Sequence, residues 1–428
     1  MNKFEDFKLD KEVLEAIKRL GFKEPTQIQA QSIPLILEGK DIIGESATGS
    51  GKTLAFGAGI IHSCVPKQGI QGLILVPTRE LAEQVKDEIV KFSYGKQLHI
   101  LAVYGGVSMG NQIDKLPKTE IVIATPGRLL DHLDRRTINL SKVKFLVLDE
   151  ADRMIEMGFI EDVEKIIKEC PKQRQTLLFS ATMYPEAKQI AKKYMNNPSQ
   201  VQATKMVDPS KLKQMYYDVP SKLKKDLLVH LLQNEKSELV MVFCNTRRET
   251  DIVVDFLKFN HIKACAIHGG LTQSKRTKTM GLFGNEKFQV LVCTDVAARG
   301  LDIDGISHIY NYDIPRDASD YVHRIGRTAR AGKSGLVINI IAQRDYDNFS
   351  KVINSYREFK IEKQERPFIK ETPMPNSPSK DRRNSYNKNS RPQRGEDRAP
   401  RRTQSNRPNR VNKSAGEGRT SAPRSHRT

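Results

Sequence analysis

Two α/β domains, each built on a parallel sheet, are the fold that the sequence predicts. Short apolar runs alternate with longer amphipathic stretches over most of the 428 residues, which is the pattern of βαβ units. The chain is also long enough for two sizeable cores. The predicted strands form two sets of five: residues 41–43, 73–76, 121–124, 145–148 and 176–179, then 239–243, 264–267, 290–293, 308–312 and 336–341.

A linker is expected between the two sets of strands. The apolar period fades after residue 201, and an Asp-Pro-Ser sequence at 208–210 interrupts it. We therefore predict a first domain over 1–204, a linker over 205–214, a second domain over 215–366 and a tail over 367–428.

The charge balance indicates an anionic partner. Lys and Arg number 71 against 51 Asp and Glu, which leaves a net charge of +20 and points to nucleic acid or a membrane surface. The amino terminus lacks the apolar core of a signal peptide, and no apolar run approaches the roughly 20 residues of a membrane span. The five cysteines are scattered without a Cys-x-x-Cys pair. We expect a cytoplasmic monomer that does not contact membranes.

The tail carries a large share of this charge. Residues 371–428 hold 15 basic and 5 acidic side chains and no Leu, Ile, Phe or Trp. Such a segment cannot bury enough apolar surface to offset its chain entropy, so we expect disorder. Two roles stay open for it: a tether to the anionic partner, or a solubilising end.

The predicted strand at 145–148 ends in three carboxylates, Asp149, Glu150 and Asp152. Open α/β sheets bind ligands at the carboxyl ends of their strands. Neighbouring carboxylates at that edge can divide the work, one holding Mg²⁺ and the other activating water. Taken alone, such a cluster is more often a solvated helix start.

A second motif changes that balance. The predicted strand at 41–43 leads into a Gly- and Ser-rich turn and then into a helix that starts near Lys52 and Thr53. Backbone N–H groups in such a turn face phosphates, the lysine reaches the terminal phosphates, and the hydroxyl ligates Mg²⁺. The strict pattern has Gly where this chain has Ser46. Together, the two motifs predict a nucleoside triphosphatase.

The second half contains no such turn but has a basic segment at 321–330. Two of its arginines, Arg327 and Arg330, are three residues apart and could lie on one helical face. They are either arginine fingers that reach across a cleft between the domains, or a solvated turn that contacts a phosphate backbone.

With these motifs in order, the chain resembles the DEAD-box family of ATP-dependent RNA helicases. The resemblance covers residues 4 to 345 and rests on about ten motifs. It implies two tandem RecA-like parallel-sheet domains separated by an interdomain cleft, with ATP and Mg²⁺ bound there.

The resemblance also assigns roles around the nucleotide. Gln29 would bond the adenine edge, with Phe4 stacked on the ring and Phe22 nearby, and Asp302 would hold the ribose. Asp149 would ligate Mg²⁺ together with Thr53, Glu150 would act as the general base, and Asp152 would be an interdomain relay. Ser180 and Thr182 would couple hydrolysis to strand separation, and Arg327 and Arg330 would be the fingers. The phosphate-binding turn would comprise Ser46, Ala47, Thr48, Gly49, Ser50, Gly51, Lys52 and Thr53.

RNA contacts are likewise implied by the resemblance, through groups suited to phosphate and sugar rather than to base edges. They are Pro77, Thr78, Arg79, Gly105, Gly106, Thr125, Pro126, Gly127, Arg128, Asn245, Gln273, Arg276 and Thr294. One departure concerns Ala329, where the family has Gly; an alanine with positive φ there would cost roughly 1 kcal/mol.

The expected activity is local unwinding of short RNA duplexes or remodelling of RNA–protein complexes, coupled to ATP hydrolysis. Ribosome precursors and RNA-decay machinery are both candidate partners. Two alternatives stay open: a DNA helicase of the wider superfamily, and an ATP-gated RNA clamp or annealing protein.

Overall fold

Two parallel sheets make up the framework of the protein in a computed structural model, which describes residues 3–46, 49–203, 212–284, 287–298, 303, 305–329, 334–369 and 371–372. Within these residues each sheet has seven strands. The first sheet comprises β1 (Ile42–Glu45), β2 (Gly72–Leu75), β3 (Ile100–Val103), β4 (Ile121–Ala124), β5 (Phe145–Leu148), β6 (Gln175–Ser180) and β7 (Ser199–Gln202). The second comprises β8 (Leu212–Asp218), β9 (Leu239–Phe243), β10 (Ala264–Ile267), β11 (Val290–Cys293), β12 (Ile306–Asn311), β13 (Gly335–Ile341) and β14 (Ile361–Gln364).

Helices connect successive strands. We call residues 3–203 the first lobe and residues 212–372 the second lobe. The first lobe contains α1 (Lys11–Arg19), α2 (Gln27–Leu37), α3 (Lys52–Ser63), α4 (Arg79–Phe92), α5 (Met109–Ile113), α6 (Pro126–Asp134), α7 (Ala151–Glu156), α8 (Ile160–Glu169) and α9 (Pro185–Tyr194). The second contains α10 (Lys224–Asn234), α11 (Arg247–Phe259), α12 (Gln273–Gly284), α13 (Asp295–Ala298), α14 (Ala318–Ile325) and α15 (Tyr346–Ser355). No helix in the described part of the chain is both long and apolar enough to cross a bilayer.

The two sheets repeat one strand order. The first runs β3-β4-β2-β5-β6-β1-β7 and the second β10-β11-β9-β12-β13-β8-β14, so each strand of the second lobe corresponds to the strand seven places earlier. The central strands β2, β4 and β5 are buried along their whole length, as expected for strands covered on both faces. The predicted fold of two parallel-sheet domains is confirmed.

All ten predicted strands are present, and four further strands complete the sheets. The edge strands β7 and β14 have few buried residues, so their sequences lack the apolar runs of the central strands. Strand β8 begins at Leu212, where it pairs with Gly335 of β13. The last three residues of the predicted linker therefore belong to the second sheet.

The folded body extends further than the sequence indicated. We expected the tail to begin at residue 367, but Ile369 packs against the core of the second lobe. The backbone N–H of Thr372 also donates a hydrogen bond to Asp226 Oδ1 at 2.8 Å. The predicted disordered tail from residue 373 onward lies outside the described residues.

Candidate nucleotide and nucleic-acid site

Three neighbouring strands, β5, β6 and β1, bring the predicted nucleotide residues to one edge of the first sheet. The acidic turn follows β5, the Ser180–Thr182 turn follows β6, and the glycine-rich turn follows β1. The backbone N–H of Ser46 donates to the carbonyl of Ser180 at 3.0 Å, which joins two of these turns directly.

The glycine-rich turn ends at the amino terminus of α3. Gly49 and Gly51 have φ angles of 78° and 91°, which favour glycine. Lys52 is the first helical residue; its ammonium group is buried and donates to the carbonyl of Ser46 at 3.1 Å. This turn therefore has the backbone N–H groups and the cation that a phosphate requires. Ala47 and Thr48 lie outside the described residues.

Ser46 replaces the glycine of the strict pattern without backbone strain. It is not among the residues with positive φ. Its hydroxyl oxygen accepts a hydrogen bond from the Ser50 hydroxyl at 3.0 Å. The serine therefore adds a contact that braces the turn.

Gln29 braces the same turn from helix α2. Its Oε1 accepts from the Thr26 N–H at 2.9 Å, and its Nε2 donates to the Gly51 carbonyl at 3.0 Å. A β-carbon at Gly51 would lie 2.3 Å from that Nε2, so glycine is required there on two grounds. An amide has two hydrogens and two acceptor sites, so one donor and one acceptor remain for adenine.

The two aromatic residues predicted near adenine differ in exposure. Phe4 is buried in the core of the first lobe, with its ring edge-on to Phe7 at 6.0 Å between centroids. Phe22 is 43% exposed, with its ring 6.3 Å from that of Phe92. Stacking of Phe4 on adenine stays a prediction, and the structure gives this residue a packing role.

The acidic turn buries two adjacent carboxylates. The pKa of Asp149 is raised to about 7, chiefly by burial and also by the neighbouring Glu150 carboxylate, although the Lys52 cation lowers it. Glu150 precedes α7 with φ 50° and ψ 50°, a left-handed conformation that a non-glycine residue adopts at a cost of about 1–3 kcal/mol.

Mg²⁺ fits this site as a partner of the nucleotide. The described residues contain no cluster of three or more His, Cys, Asp or Glu side chains able to hold a metal. Mg²⁺ bound with a nucleotide usually takes one or two carboxylates, with phosphate oxygens and water as its other ligands. Asp149 and the Thr53 hydroxyl, on the second residue of α3, are the ligands that these residues offer.

Asp152 connects the acidic turn to the turn after β6. Its Oδ2 accepts from the backbone N–H groups of Ala181 and Thr182 and from the Thr182 hydroxyl, at 3.0 to 3.1 Å. The Ser180 hydroxyl oxygen accepts from the Asp152 N–H at 3.2 Å and donates to the Thr182 carbonyl at 2.5 Å. The two turns thus form one hydrogen-bonded unit within the first lobe.

The predicted RNA residues of the first lobe follow the adjacent strands β3, β4 and β2 at the other half of the same edge. Arg79 lies beside Gly105 and Gly106, and Arg128 lies beside Gly105; a β-carbon on Gly106 would be 2.3 Å from Arg79 Nη1. Thr78 caps helix α4 by accepting from the Leu81 N–H at 3.3 Å. Two guanidinium groups, those of Arg79 and Arg128, therefore lie beside a glycine backbone at this edge of the sheet. Thr125, Pro126 and Gly127 begin helix α6 immediately after β4.

The second lobe repeats this placement. Asn245, Thr294 and the helix that starts at Gln273 follow β9, β11 and β10, which are neighbours in the second sheet. Asn245 is held by its N–H to Asp313 Oδ2 at 3.0 Å and by its side-chain amide to the Ile314 carbonyl at 2.8 Å. Thr294 is buried.

Gln273 and Arg276 contact the other lobe in this arrangement. Gln273 Nε2 donates to Glu80 Oε1 at 3.1 Å, and Arg276 Nε lies 3.2 Å from the same oxygen. Their predicted role in binding RNA stays a prediction, and to fill it they would have to exchange this carboxylate for a phosphate.

The basic segment of the second lobe is divided between a helix and the turn that follows it. Helix α14 ends at Ile325, so Arg327 lies beyond it and the expected helical face does not form there. Burial and the Arg153 cation lower the pKa of Arg327, while the Glu150 carboxylate raises it. Arg327 is buried and lines a small pocket together with Arg153 of the first lobe, which follows Glu150 by three residues. Arg330 and Asp302 lie outside the described residues.

Arg324, which the sequence left without a role, is fully committed inside the second lobe. Its Nε and Nη2 form two bonds to the Asp295 carboxylate, at 2.6 and 2.7 Å. Its Nη1 donates to Asn311 Oδ1 at 3.0 Å, and its Nη2 also donates to Asn245 Oδ1 at 3.1 Å. Arg324 therefore ties a predicted RNA residue to the helix that leads to Arg327.

Sequence reasoning also missed the residues that join the lobes. Arg153 donates a hydrogen bond to Asp320 Oδ1 at 2.9 Å. Glu80 accepts a hydrogen bond from Gln273 and forms an ion pair with Arg276. The two partners of the first pair are 167 residues apart, and no spacing rule connects them. Only an alignment of homologues or the structure itself can reveal such pairs.

Family models match both lobes. A model described as DEAD/DEAH box helicase matches residues 26–190, and one described as helicase conserved C-terminal domain matches residues 223–332. The chain is 49% identical to the ATP-dependent RNA helicase CshA of Listeria monocytogenes over 81% of this chain and 67% of that one. It is 44% identical to the DEAD-box ATP-dependent RNA helicase CshA of Bacillus subtilis over 86% of this chain and 75% of that one.

Solved structures with the same architecture include yeast Dbp5 bound to RNA and ADP BeF3. That structure superimposes with a TM-score of 0.79 at 28% identity, covering 85% of this chain and 96% of that one. A DEAD box protein from Methanococcus jannaschii is 42% identical, with a TM-score of 0.53 over 85% of this chain and 99% of that one. On the two family models and these identities, the chain belongs to the DEAD/DEAH-box helicase family.

Proposed function

We propose that the protein is an RNA-dependent ATPase that uses ATP hydrolysis to separate short RNA duplexes or remodel RNA–protein complexes. One observation supports this above the others: Arg327 of the second lobe is buried and lines a small pocket with Arg153, which follows Glu150 of the first lobe by three residues. A nucleotide between these groups is contacted by both lobes. ATP binding and lobe closure are therefore linked.

The residues divide the chemistry as follows. The turn at Ser46–Thr53 and the Lys52 ammonium bind the triphosphate; Asp149 and Thr53 would hold Mg²⁺, which would supply positive charge against the phosphates. Glu150, at the turn before α7, takes the proton of the attacking water as the general base. Arg327, assisted by Arg330, offsets the charge that develops on the transferred phosphoryl group.

Nucleotide identity is read at the start of α2. The remaining donor and acceptor of the Gln29 amide match the N6 and N7 groups of adenine. Phe4 stacks on the base after leaving its packed position, and Asp302 holds the ribose.

RNA lies across the other half of both sheet edges. The contact residues follow β3, β4 and β2 in the first lobe and β10, β11 and β9 in the second, which are corresponding strands. Arginines, glycines, hydroxyls and amides at these positions bind backbone and not base edges, so recognition is independent of sequence.

Unwinding is local in this mechanism. A base-pair step is stabilised by about 1.4 kcal/mol of stacking, so one closure event melts only a few pairs. Lengthening the duplex at constant overhang should therefore sharply reduce the unwinding rate, whereas a length-independent rate would indicate translocation. The cytoplasm is the proposed site of action, with ribosome precursors or RNA-decay machinery as partners, and cellular crosslinking followed by RNA sequencing identifies which.

The decisive variant is Glu150→Gln, which keeps the side-chain shape and removes the base. Phosphate release under multiple turnover should be lost while ATP still binds, and persisting turnover would overturn the proposal. Lys165→Gln, on helix α8 of the same lobe, is the control.

Two further measurements exclude the alternative functions. Stimulation of wild-type turnover by RNA but not by matched DNA separates this function from a DNA helicase. A single-turnover burst without further release would instead indicate an ATP-gated clamp.

A further inference from the structure

A buried ion pair connects the two lobes beside the nucleotide site. Arg153 Nη1 donates to Asp320 Oδ1 at 2.9 Å, and the two side chains are only 5% and 12% exposed. Surface ion pairs stabilise little, but a buried pair leaves a costly unpaired charge when one partner is removed. This contact therefore favours one arrangement of the lobes over others.

Arg153 is held in place from within the first lobe. The same Nη1 lies 2.5 Å from Glu156 Oε2, one turn along helix α7. Glu156 in turn accepts a hydrogen bond from the Tyr184 hydroxyl at 3.1 Å. The backbone N–H of Arg153 donates to Asp152 Oδ1 at 3.1 Å. Its guanidinium is thus oriented toward the cleft by its own lobe and is tied to the acidic turn.

Asp320 lies on a helix that is anchored in the second lobe. It is in the first turn of helix α14, whose last turn carries Arg324 with its two bonds to Asp295. Arg327 follows two residues after this helix ends. A contact at Asp320 therefore fixes the start of the element that delivers Arg327, while Arg153 belongs to the helix that begins directly after Glu150.

We propose that Arg153 and Asp320 are a positioning pair that sets Arg327 against Glu150 when the lobes close. Neither side chain takes part in the chemistry. The pair joins the helix after the general base to the helix before the arginine finger, so that closure brings the two groups into register. The inference rests on the proposed roles of Glu150 and Arg327.

A double-mutant cycle in the full chain tests this pair. Asp320→Asn leaves Arg153 its partner Glu156, so the first lobe still folds, but the contact between the lobes is lost. We expect RNA-stimulated kcat to fall by about tenfold or more and the KM for ATP to rise, because ATP binding and lobe closure are linked, while the thermal midpoint stays nearly unchanged. Arg153→Gln should lower kcat to a similar extent. Because both substitutions remove the same contact, the kcat of the double variant should lie within about threefold of that of the less active single variant.

The matched control is the exposed pair Lys193–Glu164, at 2.9 Å between helices α9 and α8 of the first lobe. Neutralising both of its residues should leave kcat unchanged. Two results would overturn the positioning role. One is a kcat in the double variant that is reduced by the product of the two single-variant reductions. The other is an Asp320→Asn variant with wild-type kcat. If Glu150→Gln also retains turnover, the proposed function itself fails; if it loses turnover, only the positioning pair is rejected.

Discussion

Thr182 donates two hydrogen bonds to the Asp152 carboxylate, one from its backbone N–H at 3.0 Å and one from its hydroxyl at 3.1 Å. The two residues follow neighbouring strands, β5 and β6, so the acidic turn and the Ser180–Thr182 turn cannot move independently while these bonds persist. A displacement of either turn during closure is transmitted to the other.

Thr182→Val tests whether this connection couples hydrolysis to unwinding. The substitution keeps the side-chain shape and removes the hydroxyl bond, which stabilises the contact by about 1 kcal/mol. We expect duplex unwinding to fall several-fold more than RNA-stimulated ATP hydrolysis, with both measured on one preparation. Ser199→Ala, on the edge strand of the same sheet, is the control. An equal loss of both activities would show that the bond serves hydrolysis alone.

Ala329 has the positive φ that the family pattern suggested. The φ angle of Ala329 is 55°. The residue packs closely against Gly335: a β-carbon built at Gly335 would lie 2.8 Å from the backbone nitrogen of Ala329. Ala329→Gly should stabilise the folded chain by about 1 kcal/mol, because glycine adopts this conformation without strain. A rise in the thermal midpoint measures this gain. Ala187→Gly, inside helix α9, should lower the midpoint instead; a fall at both positions would contradict the strain at Ala329.

His132 makes stability depend on pH in the first lobe. It is fully buried, with Nδ1 2.8 Å from the Thr137 hydroxyl and Nε2 2.9 Å from Gln112 Oε1. Burial lowers the pKa of His132 from its usual 6.5, and the Arg128 cation lowers it further. The unfolded chain therefore binds this proton at a higher pH than the folded chain does, and the free energy of unfolding falls as the pH drops below about 6.5.

His132→Gln should flatten this pH dependence. Urea denaturation at pH 7.5 and 5.5 measures the difference, and the variant should lose less stability between them than the wild type. A residual slope is expected from His308, whose pKa is lowered by burial as well. Equal slopes for wild type and His132→Gln would exclude His132 as the source.

The central strands could be predicted from the sequence because they are buried and therefore consist mostly of apolar residues. Strand β9 is apolar at all five positions, and its predicted bounds match the structure. Edge strand β7 buries only one of four residues, so nothing in its composition distinguishes it from a loop. Each of the four strands that the sequence missed is hydrogen-bonded to a neighbouring strand of its sheet.

The site divides in the same way. Asp149 and Glu150 follow the apolar strand β5 directly, and Lys52 follows β1 after the glycine-rich turn, so local sequence placed all three at strand ends. The left-handed backbone of Glu150 and the contact of Arg153 with Asp320 depend on distant parts of the chain. Sequence spacing carries no record of either.

The basic tail should govern the salt dependence of RNA binding. Residues 374–428 carry 15 Lys and Arg against 4 Asp and Glu. Each phosphate that they neutralise on a single strand adds roughly −0.7 to the slope of log K against log salt concentration. Truncation after Pro373, which keeps the bond from Thr372 to Asp226, should make the slope shallower and weaken RNA binding at low salt. ATP hydrolysis at saturating RNA should persist, because the residues of the nucleotide site all precede the cut.

A second variant separates the effect of the tail's charge from that of its length: a chain of full length with every tail Lys and Arg changed to Gln. A tether predicts that this chain behaves like the truncation; a solubilising end predicts the wild-type slope in both variants, with aggregation as the only defect.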